Sequence, residues 1–176
     1  MGETGNIVLI GLSGTGKTTT GKLLAERLGK GFVDLDQEIE HACGMSVEEI
    51  FRSRGETYFR SQERLAVRSV LPRRGLIVAT GGGVVLAPEN VADLKACGVV
   101  ILLKAPAEVI LDRLERDSVA RPLLNNPDRL QGIERMMKTR EEKYQFADFA
   151  VDTTSCSPEE VVEKIVAFLQ PEVLPA

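Results

Sequence analysis

An α/β fold built on a parallel, doubly wound sheet is predicted by three features of the chain. Short apolar runs rich in β-branched residues alternate with longer segments of helical period. Five such runs are separated by helix-length stretches, which suit crossovers between parallel strands. A glycine-rich turn joins the first run to the first helical segment.

In order, Asn6 to Ile10 reads as the first strand. Thr18 to Leu28 is helical because Leu24 and Leu28 share a face, and Gly29 supplies a C-terminal stop. Phe32 to Asp34 is a second strand, followed by helical segments at Gln37 to Cys43, Val47 to Arg54 and Glu56 to Leu71, with Ser46 and Glu49 spaced as a capping box. Leu76 to Ala79 is a third strand, leading into Thr80 and three glycines. Pro88 to Cys97 is a helix stopped by Gly98, and Val99 to Leu103 is the fourth strand. Pro106 to about Arg116 is helical, with Ile110 and Leu114 at i, i+4. Residues 117–128 carry two prolines, two asparagines and an arginine, a composition and length that predict a functional loop. Arg129 to Tyr144 is a helix and Ala150 to Asp152 the fifth strand. Ser157-Pro158-Glu159-Glu160 places an N-cap, a Pro at N1 and a reciprocal Glu at N3 before a last helix that buries Val161, Val162, Ile165, Val166 and Leu169. In such a sheet ligands sit beyond the carboxyl ends of the strands.

The chain of 176 residues is the length of one domain, here 1–176, able to bury roughly 70% of its surface. Lys and Arg total 22 against 26 Asp and Glu, a net charge of −4, which offers no footprint for nucleic acid. Cys43, Cys97 and Cys156 are too few and too scattered for a disulfide framework or a CxxC zinc site, and are expected to be reduced thiols. No run approaches the ~20 apolar residues of a membrane span. The first residues, Met1 to Asn6, lack a leader pattern or a myristoylation signal, so a cytoplasmic address is expected. His41 is the sole histidine, in a short helical pattern beside Glu38 and Glu40, and reads as a surface residue.

Chemistry concentrates first at Gly11-Leu12-Ser13-Gly14-Thr15-Gly16-Lys17-Thr18, which fits GxxxxGK[ST] between a strand and a helix. Glycines let successive N–H groups face a phosphate, and the helix N-terminus adds its dipole. The nucleotide contacts expected are Gly14, Thr15, Gly16, Lys17, Thr18 and Thr19, with Lys17 at the β- and γ-phosphates and the Thr18 hydroxyl on Mg²⁺. The Lys17 ammonium is expected to face solvent until nucleotide binds.

This motif alone names a nucleotide rather than a reaction. Val99 to Leu103 is followed by Lys104-Ala105-Pro106, without the acidic residue that motor and transporter ATPases carry there. No DxxG occurs, which argues against a GTPase. A small phosphotransferase remains. Asp34 and Asp36 are two apart at the end of the second strand, so the strand period points both toward the phosphate loop. Asp34 can hold Mg²⁺ through water and Asp36 can orient or deprotonate an acceptor hydroxyl. Each could instead be a solvated strand end or a helix N-cap.

The phosphate loop, Asp34-Leu35-Asp36, Phe59-Arg60 with Glu63, Thr80-Gly81-Gly82-Gly83 and Arg121-Pro122-Leu123-Leu124 together resemble the shikimate kinase family. The resemblance runs from the first strand to the last helix. It implies a P-loop kinase fold of the nucleoside-monophosphate-kinase type, in which ATP phosphorylates shikimate to shikimate 3-phosphate with Mg²⁺ present. A substrate-binding helical part would span about 36–72 and a lid about 117–128. Asp36, Arg60, Gly81, Gly82, Gly83 and Arg140 match the family's shikimate-binding positions, and Arg121 matches the lid arginine that approaches the transferring phosphate. Lys17, Asp36 and Arg121 would form the catalytic set. Two arginines can clamp a carboxylate, bare glycine backbone lets ring hydroxyls approach, and Glu63 at i+3 would hold Arg60.

Two positions depart from the family. Ser13 stands where many relatives carry Met, in a form also found in gluconate kinase-like proteins, so a kinase of another sugar acid is the alternative. Thr154-Ser155-Cys156-Ser157-Pro158 lacks the arginine that relatives often place beside adenine, so adenine is expected on Pro158 with Arg113 or Arg116 opposite. A nucleotide-binding regulatory module is disfavoured, because a sensor needs no carboxylate clamp. No coiled-coil heptad demands a partner, so a monomer is expected, and the Pro171 to Ala176 tail should fray.

Overall fold

Five parallel strands form one sheet in the computed structural model, which describes residues 5–117 and 128–169. They are β1 (Asn6–Ile10), β2 (Gly31–Asp34), β3 (Leu76–Ala79), β4 (Gly98–Lys104) and β5 (Phe149–Asp152), in the spatial order β2-β3-β1-β4-β5. Central β1 pairs with β3 on one side, Leu9 opposite Ala79, and with β4 on the other, Ile10 opposite Leu102. Every residue of β1 is buried, as a strand covered on both faces requires.

The helices are α1 (Lys17–Leu28), α2 (Leu35–Cys43), α3 (Val47–Val70), α4 (Pro88–Cys97), α5 (Ala107–Arg116), α6 (Arg129–Arg140) and α7 (Pro158–Leu169). Strand alternation divides the core in two. Ile7 and Leu9 join Leu24 of α1 and Val161 and Ile165 of α7 on one face, while Val8 and Ile10 join Phe59 and Val67 of α3 and Leu94 of α4 on the other. A smaller cluster of Leu12, Ile110 and Ile133 fastens α5 and α6 beside the loop that follows β1. From β1 the chain crosses out to β2 and returns through β3, then crosses to β4, so the order reverses beside β1 and a crevice opens at its carboxyl end.

Several expectations change in detail. The two helical segments at 47–71 form one length with a break at Gly55, whose φ of 83° and ψ of 171° are open to glycine and strained for other residues. The segment expected as one helix to Tyr144 ends its α-helix at Arg140 and continues as a 3₁₀ turn, Glu142–Tyr144. A second 3₁₀ turn, Val84–Leu86, follows the glycine triplet. The capping box at Ser46 is present, and Ser157 caps α7: its N–H donates to Glu160 Oε2 at 2.7 Å and its Oγ accepts from the Glu160 N–H at 3.2 Å. The lid expectation, with Arg121, falls almost wholly on 118–127, outside the described residues, as does the tail. No helix among the described residues is long and apolar enough to cross a membrane.

Candidate active site

The loop between β1 and α1 sits in the crevice. Gly16, at φ 93°, begins α1 without a side-chain cap, which leaves the first N–H groups of the helix to a ligand. Lys17 is buried, and its Nζ donates to the carbonyls of Gly11 at 2.8 Å and Leu12 at 2.9 Å. This corrects the expectation of a solvent-facing ammonium: the loop's own carbonyls hold the charge within the loop.

Asp34 and Asp36 do not share a strand face as the period-of-two argument required. Asp34 ends β2 and caps α2, its Oδ1 accepting from the N–H groups of Asp36 at 3.1 Å and Gln37 at 3.3 Å. Its Oδ2 accepts from Thr18 Oγ1 at 2.6 Å. The N-cap therefore belongs to Asp34, and its second oxygen stays with the phosphate loop. Asp36 lies one residue inside α2 and turns toward the glycine triplet, where a Cβ on Gly81 would stand 2.6 Å from its Oδ1. The hydroxyl and carboxylate of Thr18 and Asp34 are the hard oxygen donors that suit Mg²⁺. Among the described residues there is no cluster of three or more His, Cys, Asp or Glu able to hold a metal.

Into the same cavity α3 presents Arg60 and Glu63. Arg60 Nη1 donates to Glu63 Oε2 at 2.9 Å and Oε1 at 3.1 Å, while its Nη2 and Nε reach Glu56 Oε1 at 3.2 and 3.3 Å. The Glu63 side chain is 1% exposed, and burial pushes its carboxyl above the usual range although Arg60 and Arg140 pull it down. Gly83 lets Arg60 lie flat against the backbone, since a Cβ there would be 2.5 Å from Nη1. Arg140, at the end of α6, is buried and donates from Nη1 to the Gly82 carbonyl at 2.7 Å. Tyr144 Oη donates to the same carbonyl at 3.5 Å. A Cβ on Gly82 would lie 3.0 Å from both N and Oγ of Ser13, so the phosphate loop abuts the glycine triplet at Ser13.

One cavity of about 840 Å³ is lined by Gly14, Thr15, Gly16, Lys17, Thr18, Thr19, Asp34, Asp36, Arg60, Gly81, Gly82, Gly83, Arg113, Arg140 and Pro158. Arg116 is a correction: its side chain is 78% exposed, pairs with Asp112 at 3.0 Å and stays outside the cavity. Four residues along α5 is one turn plus about 40°, but three residues leave Arg116 some 60° short of a full turn from Arg113, enough to aim it at solvent. Arg113 faces inward, with Nη1 on Thr153 Oγ1 at 2.8 Å and Nη2 on the Thr153 carbonyl at 2.6 Å. Two residues that the sequence did not single out are Thr153, which lines the cavity, and Tyr144, which stays outside the lining and reaches it only through the Gly82 carbonyl. Thr153 directly follows β5, and the rule that ligands gather beyond the carboxyl ends of strands could have found it; for Tyr144 no local signal exists.

The family model described as shikimate kinase matches residues 13–170. A shikimate kinase of Thermodesulfovibrio yellowstonii is 46% identical over 161 residues, 92% of each chain. One of Pelotomaculum thermopropionicum is 47% identical over 165 residues, covering 94% of this chain and 95% of its own. The solved structure of shikimate kinase from Acinetobacter baumannii in complex with shikimate superposes with a TM-score of 0.92 at 35% identity, covering 98% of this chain and 96% of that one. The doubly wound parallel sheet is thus that of a P-loop kinase, and the chain belongs to the shikimate kinase family.

Proposed function

We propose that the chain transfers the γ-phosphoryl group of ATP to a hydroxyl of shikimate, giving shikimate 3-phosphate and ADP. The observation that carries this reading is the chamber in which Asp36, Arg60 and Arg140 converge next to the Lys17 loop. A hydroxylated carbocyclic acid such as shikimate presents one carboxylate and several hydroxyls, and the chamber answers both. Arg140 spends Nη1 on Gly82 and keeps further donors for an anion. Arg60 keeps its hold on buried Glu63 through Nη1, while its other donors rest on Glu56, whose side chain is 63% exposed. A substrate carboxylate can displace so weak a surface partner.

Phosphoryl transfer needs positioning and charge stabilisation more than covalent help. Lys17 exchanges its bonds to the Gly11 and Leu12 carbonyls for phosphate oxygens, and because it is already buried it arrives with little reorganisation. Asp36 accepts the proton of the attacking hydroxyl and fixes its direction. Thr18 and Asp34 would hold Mg²⁺, which supplies charge neutralisation at the phosphates. The helical part at about 36–72 forms the acceptor wall in this reading.

The test is an ATPase assay of the whole chain with shikimate, gluconate or no acceptor. ADP release should stay low until shikimate is added and stay low with gluconate. Phosphorylation of gluconate and none of shikimate would overturn the acceptor assignment.

A further inference from the structure

Arg113 and Thr153 form a polar knot in the cavity beside the phosphate loop. Thr153 is 3% exposed, and both its oxygens accept from one guanidinium, Oγ1 from Nη1 at 2.8 Å and the carbonyl from Nη2 at 2.6 Å. The hydroxyl has one proton to give; the Lys104 carbonyl lies at 3.2 Å and the Thr15 carbonyl at 3.5 Å. Thr153 N–H also donates to the Lys104 carbonyl at 2.8 Å, so the residue is pinned to the end of β4. Nη1 of Arg113 further reaches the Gly14 carbonyl at 3.5 Å. One threonine thereby ties α5, the end of the sheet and the phosphate loop together.

This geometry constrains what Arg113 can do. A guanidinium grips phosphate through a fork of N–H donors along its edge. Here the edge between Nη1 and Nη2 is given to protein acceptors, which turns the flat face toward use by a ligand. A flat cationic face suits stacking on a planar heterocycle. Pro158 and Cys156 line the same cavity.

We propose that Thr153 is a positioning residue for the nucleobase: its hydroxyl locks the plane of Arg113 so that the base is gripped by stacking, and it does little for the phosphates. The inference rests on nucleotide binding in this cavity but not on which acceptor is phosphorylated.

Equilibrium titration of the whole chain with Mg·ADP and, separately, with inorganic tripolyphosphate tests it. Thr153→Val keeps shape and removes the hydroxyl. It should raise the Kd for ADP at least about fivefold and leave tripolyphosphate within about twofold, and Thr153→Ser should restore ADP binding. In an Arg113→Lys background, where the planar face is already gone, Thr153→Val should add less than about twofold. Unchanged ADP affinity, an equal loss for both ligands, or an additive loss on Arg113→Lys would each overturn the proposal. If the valine variant does not fold, Thr153→Ala compared with Thr153→Ser reads the hydroxyl in the same way. Failure of the unmutated chain to bind ADP would instead reject the kinase reading itself.

Discussion

Gly81 and Asp36 approach so closely that a Cβ on Gly81 would stand 2.6 Å from Asp36 Oδ1 and 3.2 Å from Glu63 Oε1. Two carboxylates on different helices are thus seated against one bare stretch of backbone. Gly81→Ala should push the Asp36 carboxylate off its line of approach and lower kcat at least about tenfold, because a misplaced base costs orders of magnitude when phosphoryl transfer depends on alignment. Mg·ATP affinity should change less than about twofold, as the phosphate loop is untouched. Steady-state kinetics beside nucleotide titration checks this; normal kcat would mean that Asp36 does not act on the acceptor. Asp36→Asn should show the same split, and a collapse of Mg·ATP affinity with surviving kcat would make Asp36 the metal-side acid.

Lys17→Ala should weaken nucleotide binding as well as transfer, which differs from what a solvent-facing ammonium would give. The buried Nζ bonds the Gly11 and Leu12 carbonyls; the Leu12 carbonyl keeps Thr15 Oγ1 at 2.8 Å, but the Gly11 carbonyl loses its lysine donor at roughly 1–3 kcal/mol before any ligand is present. Measured by thermal unfolding and ADP titration, the variant should be both less stable and weaker in binding, with kcat almost abolished. Unaltered melting would show that water replaces the ammonium without cost.

How much of this was legible beforehand depended on how local each signal is. The phosphate loop, the Ser46 capping box and the Ser157 cap are written in a few consecutive residues, and local hydrogen bonds decide them. The roles of Asp34 and Asp36 were harder, because the strand period holds only while the strand lasts; α2 begins at Leu35, and helical rotation then aims Asp36 elsewhere. The choice between Arg113 and Arg116 turned on which face of α5 meets Thr153, a partner 40 residues on in sequence from Arg113. Arg140 reads as a surface charge on any local scale, and only the fold puts it against the Gly82 carbonyl.

Glu63 should leave a signature in the pH dependence of stability. Burial raises its folded carboxyl above the ordinary value of about 4.3, so the folded state holds the proton longer than the unfolded state does. That contribution is complete below the unfolded value and is lost as pH rises through the folded one. Glutamine cannot titrate and so does not follow this fall. The melting temperature of Glu63→Gln relative to the unmutated chain should therefore be more favourable at about pH 7 than at about pH 4. The opposite trend in paired melts would mean that Arg60 and Arg140 outweigh burial.

The sharpest expectation concerns the carboxylate clamp. Two guanidinium groups facing one chamber repel each other when it is empty, and buried Glu63 relieves part of that repulsion through Arg60. Arg140 Nη1 rests on the neutral Gly82 carbonyl whereas Arg60 is paired with buried Glu63, so the Arg140 charge is the better placed to answer a substrate anion. Arg140→Ala should raise the KM for shikimate at least about tenfold, about 1.4 kcal/mol or more, with little change in the KM for ATP. Shikimate methyl ester should be a poor substrate of the unmutated chain and should lose most of the penalty of the Arg140→Ala change, because a neutral ester cannot use the charge that was removed. Comparing both substrates on both proteins isolates the charge pair and discounts general damage from the lost Gly82 contact. If acid and ester suffer equally, Arg140 acts by holding the glycine turn rather than by binding the anion, and the carboxylate must be sought at Arg60 alone.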